Sequence, residues 1–231
     1  MAYRESLSTL DNAIAHAPSL YLLRMDFSSF FESIRESDIR GYIEQYAGGF
    51  SGWDLADVDG FCKLVCRKGA LTIGAPSSPG LSNALCYELD TKLASLGAKS
   101  AVAYTRYADD LFFSTARPNA LHHFQSQVES TIKDLQLPSH LKLNQQKTRH
   151  SSRRGARRVT GIVLGSDGRA HVGRDLKRKI RALVFRYEQL DQANRAKLAG
   201  LIAYATGVDP SFFNSLVNKY GLSRVRKAMS H

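Results

Sequence analysis

The chain has 231 residues, 43% of them hydrophobic, and a net charge of +11. It can bury the core of one large domain or two small ones, which excludes a disordered tail. No apolar run approaches the roughly 20 residues of a membrane span, the opening MAYRESLSTL lacks a signal-peptide core, and three cysteines cannot make a disulfide framework, so a cytoplasmic, reducing location and no membrane partner are expected. In chain order, LYLLRMDFSSFF (20–31) begins as a buried strand ending at Asp26. SDIRGYIEQYA (37–47) reads as a helix with a Ser cap, and GGFSG (48–52) as a loop. DLADVDGFCKLVCRKG (54–69) spaces Leu55, Val58, Cys62 and Val65 as a helix closed by Gly69. Cys62 and Cys66 lie at helical spacing but lack the further partners of a zinc site, so they read as buried thiols. SSPGLSNALCYELDTKLASL (77–96) opens a helix at Pro79.

AVAYTRYADDLFFST (101–115) alternates around a tight turn and reads as a β-hairpin. Leu121, Phe124, Val128, Ile132 and Leu135 mark an amphipathic helix over 119–136. RRVTGIVLGSDGRAHVG (157–173) reads as a hairpin turning at Asp167-Gly168. From Asp175 the pattern is helical in two or three segments, with breaks near Gly207 and Pro210. The order predicts an α+β fold: an antiparallel sheet backed by helices over 1–173, a seam near 174, and a helical lobe over 174–231.

The charge is not spread evenly. Lys142 to Tyr187 holds 14 basic residues and two acids, Asp167 and Asp175, whereas the remainder holds 18 basic and 19 acidic. A surplus confined to one Arg-rich stretch, including Arg153, Arg154, Arg157 and Arg158, favours a phosphate-binding track over an ordinary solvated face. The adjacent Asp109 and Asp110 need a different explanation. At a hairpin turn they could leave the sheet and meet Asp26 at the end of its strand. Converging carboxylates cannot all stay ionised without a counter-charge, and a pair of magnesium ions, about 3.5–4 Å apart, supplies one while serving in-line phosphoryl transfer. A solvent-exposed Asp-Asp turn is the alternative.

The neighbouring blocks bear on that choice. YADD with LFFS resembles the catalytic hairpin of reverse transcriptases, RMDFSSFFESI (24–34) their first catalytic block, and GAPSSPGLSN (74–83) the nucleotide- and template-facing block. NQQKTR (144–149) and VTGIVL (159–164) resemble the two later blocks, and all five occur in the family's order. NAIAH (12–16), VTG (159–161) and the C-terminal LAGLIAYATGVDPSFFNSLVNKYG resemble the bacterial retron type. The resemblance implies a right-hand polymerase palm of ferredoxin-like core, with partial fingers, and a helical thumb over 174–231. It further implies RNA-directed DNA synthesis on a structured non-coding RNA, priming from an RNA 2′-OH, and a part in anti-phage defence with an effector protein.

By resemblance, Asp26, Asp109 and Asp110 bind two Mg2+ ions (Mn2+ as a substitute), with the Phe27 carbonyl as a further ligand. Ser29, Phe30 and Phe31 would present amides to a deoxynucleoside triphosphate, and Phe31 would be the steric gate against a ribose 2′-OH. Ile73 and Gly74 line the same site, Ile73 standing where the family often carries Gln. Lys147 would protonate departing pyrophosphate. Tyr107 and Ala108 would support the primer terminus, and Val159, Thr160 and Gly161 would grip the primer. Ser78, Pro79, Asn12 and His16 would contact template or RNA, and Arg174, Lys177, Arg178 and Arg181 would track backbone phosphates. The family's first fingers strands would precede Met1, with Arg4 and Arg24 as substitutes for their basic residues. A polymerase-like fold that binds RNA or a protein without synthesis, and another bacterial reverse transcriptase class (abortive-infection, group II intron or diversity-generating), are the other readings.

Overall fold

The computed structural model describes residue 2, residues 6–46 and residues 52–230. Four antiparallel strands form the main sheet: β1 Tyr21–Asp26, β2 Ala103–Tyr107, β3 Asp110–Thr115 and β4 Arg149–Ser152, in the order β2-β3-β1-β4. Alternation along the strands feeds two cores. Leu23, Met25, Leu111 and Phe113 face one apolar cluster, which is closed by α3 Glu36–Gln45, α4 Leu55–Val65, α5 Ser78–Leu85, α6 Tyr87–Ser100 and α7 Ala120–Lys133. Leu22 and Phe112 face the other, built from α1 Thr9–His16, a second sheet, and α8 Arg174–Phe185, α9 Gln192–Val208, α10 Pro210–Tyr220 and α11 Leu222–Met229. The short helix α2 Phe30–Ser33 follows β1. One apolar cluster therefore runs across residue 174, where α8 begins. Among the described residues no helix is long and apolar enough to cross a membrane.

Local chemistry sets most boundaries. Ser8 and Asp54 each accept two amides of the turn they start, and Asp11 and Asp57 return the bond to the cap backbone. α3 starts at Glu36, earlier than its expected Ser cap, because the Asp38 carboxylate accepts the Arg35 N–H at 2.8 Å. α4 stops at Val65 rather than Gly69; Lys68 and Gly69 take positive φ in a turn that pairs Arg67 with Ala70. The single helix expected over 77–96 is two, broken at Cys86, whose ψ of 5° is non-helical. The loop expected at 48–52 lies, but for Gly52, outside the described residues.

The second sheet corrects the expected hairpin over 157–173. It is a meander of β5 Arg157–Val159, β6 Ile162–Leu164 and β7 Ala170–His171. Its first arm folds back at Thr160-Gly161, both at positive φ (47° and 85°), as a two-residue hairpin turn requires. Asp167-Gly168 belongs to the second bend. Among the described residues the C-terminal region holds four α-helices and a 3-10 turn at Tyr187–Gln189, and the break expected near Gly207 and Pro210 falls at Asp209-Pro210, with Gly207 inside α9. Cys62, Cys66 and Cys86 are free thiols, all pushed up in pKa by burial.

Candidate active site

Backbone pairing brings the three aspartates to one end of the main sheet. Asp26 and Asp110 are register partners across β1 and β3, and the Phe27 amide donates to the Asp109 carbonyl at 3.0 Å. Ala108 carries the positive φ (54°) that the turn between β2 and β3 needs. Asp26 is 2% exposed. Its Oδ1 accepts from Lys147 Nζ at 2.9 Å, and Asp110 Oδ1 accepts from Arg24 Nε at 2.9 Å and lies 2.8 Å from Arg24 Nη2. Burial raises the Asp110 pKa, Arg24 opposes that, and the charges of Asp109 and Asp26 add to it. The ion pair with Asp26 raises Lys147. Among the described residues no three acidic, His or Cys side chains form a ready metal cluster. The acids expected to meet are thus neighbours along the sheet end, and the carboxylates of Asp26 and Asp110 are turned to Lys147 and Arg24. Hard oxygen donors that already draw in positive charge suit a divalent cation in kind. Arg24, expected to serve the triphosphate, is committed to Asp110 instead.

Two buried clamps hold the acid-bearing hairpin. Arg106, 5% exposed, donates Nε to Asp90 Oδ1 at 2.8 Å and Nη2 to Asp90 Oδ2 at 2.7 Å, and its Nη1 reaches the Ala108 carbonyl at 3.2 Å. Behind the other face, Asn12 and His16 sit one turn apart on α1, both at 0% exposure. His16 Nδ1 lies 2.8 Å from Ser114 Oγ and Nε2 2.7 Å from Thr105 Oγ1, and Thr105 Oγ1 donates to Asn12 Oδ1. These two residues correct the expectation of RNA contacts: burial removes them from any ligand, and they tie α1 to β2 and β3.

After β1 the chain turns through Ser29, at φ 46°, into α2. Among the described residues the amides of Ser29, Phe30 and Phe31 find no acceptor, as first-turn amides do. Phe31 is half-buried, its ring 5.3 Å from that of Phe30. Ile73 is 71% exposed, and Gly74 has φ 87°. Pro79 is half-buried, whereas Ser78 is 1% exposed and donates Oγ to the Thr72 carbonyl at 2.8 Å. Ser78 therefore shapes this loop and cannot touch a template.

Arg153, Arg154, Arg158, Arg174, Lys177 and Arg178 line one groove of about 700 Å3. Lys177 is partly neutralised there by Asp209, 2.7 Å away. Arg157 is a correction: it is fully buried, donating to the Ser19 carbonyl and, at 2.8 Å, to the Gly165 carbonyl, and burial lowers its pKa. Val159 is likewise core, while Thr160 and Gly161 sit at the turn and Tyr107 packs half-buried on the second cluster. Arg181 donates to Ser215 Oγ at 2.9 Å and borders an adjoining cavity with Arg178, Phe185, Lys219, Tyr220 and Arg224. Phe185 and Arg224 are not among the candidate residues that the sequence singles out; an aromatic closing a basic helix is the signal for Phe185.

Residues 1–183 match the family described as reverse transcriptase (RNA-dependent DNA polymerase). The chain is 32% identical to the retron Ec83 reverse transcriptase of Escherichia coli, over 97% of this chain and 74% of that one. It is 28% identical to the retron Ec86 enzyme of the same organism (99% and 70%) and to the retron Mx162 enzyme of Myxococcus xanthus (88% and 48%). In fold it is similar to apo telomerase from Candida tropicalis (TM-score 0.54, 10% identity, 96% of this chain and 48% of that). It is also similar to a foamy viral protease-reverse transcriptase in complex with an RNA/DNA hybrid (TM-score 0.55, 11% identity, 99% and 28%). The antiparallel sheet backed by helices is therefore a polymerase palm, and the chain belongs to the reverse transcriptase family, among the retron reverse transcriptases.

Proposed function

We propose that this chain copies a structured non-coding RNA into DNA at the end of the main sheet, with Asp26, Asp109 and Asp110 as ligands for two magnesium ions. The observation that carries this is the pairing of Asp26 with Asp110 and of Phe27 with Asp109, which delivers three acids to one point from distant sequence. When bound, such ions lower the pKa of the attacking hydroxyl and neutralise the leaving oxygen. The protein's own groups do the rest. The unpaired amides of Ser29, Phe30 and Phe31 orient the triphosphate. Phe31, braced on Phe30, fills the space of a ribose 2′-OH. Ile73 and Gly74 border the sugar, and Lys147, released from Asp26, hands its proton to pyrophosphate. Tyr107, Pro79, Thr160 and Gly161 support primer and template. The groove of Arg153, Arg154, Arg158, Arg174 and Arg178 carries phosphates, with Lys177 and Arg181 at its edge. Priming from an RNA 2′-OH, an effector partner, a cytoplasmic setting and anti-phage defence complete the reading.

The test is template extension by purified protein on supplied RNA with deoxynucleotides and Mg2+. Asp109→Asn should abolish cDNA while RNA binding persists, and undiminished synthesis would remove the metal-site assignment. Phe31→Ala should admit ribonucleotides; unchanged sugar choice would remove the gate.

A further inference from the structure

Arg24 stands two residues before Asp26 on β1, so both side chains leave the same face of the sheet. Its guanidinium puts Nε and Nη2 on one oxygen, Asp110 Oδ1, at 2.9 and 2.8 Å. The Asp110 side chain is 17% exposed and that of Arg24 44%. A guanidinium stays charged at every working pH. One oxygen of the carboxylate is thus held by a permanent cation on a flexible, half-exposed arm. A ligand oxygen holding two N–H groups at these distances has its lone pairs committed to them.

We infer that Arg24 is a built-in competitor at the metal site: it holds Asp110 Oδ1 in the cation-free protein and competes with a divalent ion for that oxygen. The inference rests on the reading of Asp110 as a metal ligand. Arg24 then sets the concentration of divalent cation at which the site fills. Its charge is ordinary; its contact is what competes. Arg149 makes the comparison possible. It is the register partner of Arg24 on β4, it is exposed, and among the described residues its side chain bonds only the Thr148 carbonyl, at 3.4 Å. Removing Arg149 deletes a like charge from the same stretch of sheet without touching a carboxylate.

The experiment is Mn2+ titration of the full chain without nucleic acid or nucleotide, free Mn2+ being read by electron paramagnetic resonance. Arg24→Met should tighten saturable binding by about fivefold, the scale of one half-exposed ion pair. Arg24→Gln should move it in the same direction, and melting curves should show both variants folded. Arg149→Met should shift binding less than about twofold, because salt screens a charge that makes no contact. Unchanged or weaker binding in both Arg24 variants overturns the inference, as does an equal shift on Arg149→Met. The ligand assignment is read separately: Asp109→Asn should remove saturable binding, and binding that survives it intact sinks the metal site and this inference together.

Discussion

His16 shows how one buried side chain governs the placement of a distant one. Thr105 Oγ1 gives its proton to Asn12, so it accepts from His16 Nε2–H, while Nδ1 lies 2.8 Å from Ser114 Oγ, which itself donates to Ser19 Oγ at 3.0 Å. Burial disfavours the charged ring and lowers the His16 pKa to about 4, so the ring is neutral at neutral pH. Between its unfolded value of 6.5 and about 4 the unfolded chain binds the extra proton, so stability falls as pH falls. The loss should reach roughly 3 kcal/mol. Thermal melts from neutral pH to pH 4 should slope downward, and His16→Gln should flatten that slope while lowering the plateau. At the meander turn, Thr160 holds a strained φ of 47° while its Oγ1 reaches the Thr9 carbonyl at 3.2 Å. Gly161 at φ 85° has room for a methyl group but not the backbone conformation. Gly161→Ala should therefore cost about 1–2 kcal/mol in chemical denaturation.

Among elements, the acid-bearing hairpin is held by α6 from one side. Asp90 on that helix receives Arg106 through two oxygens and the Tyr104 hydroxyl at 2.7 Å. Asp90→Ala would take the carboxylate from a guanidinium that is 4% exposed and leave it neutral acceptors such as Asn83 Oδ1 and the Ala108 carbonyl, and should cost about 3 kcal/mol, Asp90 itself being partly screened at 35% exposure. Because Arg106 also reaches the Ala108 carbonyl, that variant should lose synthesis beyond its loss of folded protein, as specific activity per folded molecule will show. The helix needs close approach to do this: a Cβ on Gly97 would meet the Val102 carbonyl at 2.6 Å.

At the scale of the whole molecule, the C-terminal helices are locked to the meander by a charged knot. Asp209, 3% exposed, accepts from Lys177 at 2.7 Å, from Ser211 at 2.5 Å and from His171 Nδ1 at 3.0 Å, while His171 Nε2 lies 2.9 Å from Asp167. Burial opposes the charge of Asp209, but these donors hold its pKa far below the usual carboxylate range. Burial pulls His171 down, and its bonds to Asp209 and Asp167 raise it further, to a net increase over 6.5. The His171 contribution is full below 6.5 and lost as pH rises through the raised value; that of Asp209 is full above 3.8 and lost in acid. Melting temperature should therefore decline as pH rises above 6.5, and His171→Gln should remove that decline. An unaltered alkaline slope would show the knot to be incidental.

Much of this molecule was legible in the sequence where the signal is local. The apolar run into Asp26, the alternating arms around Asp109 and Asp110, and the stripe of Leu121, Phe124, Val128 and Ile132 each carry their period within a few residues, and each became the expected element. Short elements escaped: α1, β4 and the fold-back at Thr160-Gly161 are too brief for a period and exist because the second core and the β1 edge accept them. Sequence alone determined which residues have the chemistry: the acids, the aromatics beside them and the Arg-rich stretch. Only tertiary structure decided which could use it. Burial took Asn12, His16, Ser78, Arg157 and Val159 out of reach of any ligand, and pairing set Arg24 and Lys147 on the two carboxylates. Exposure and partner choice depend on residues far apart in the chain, and no local pattern encodes that distance.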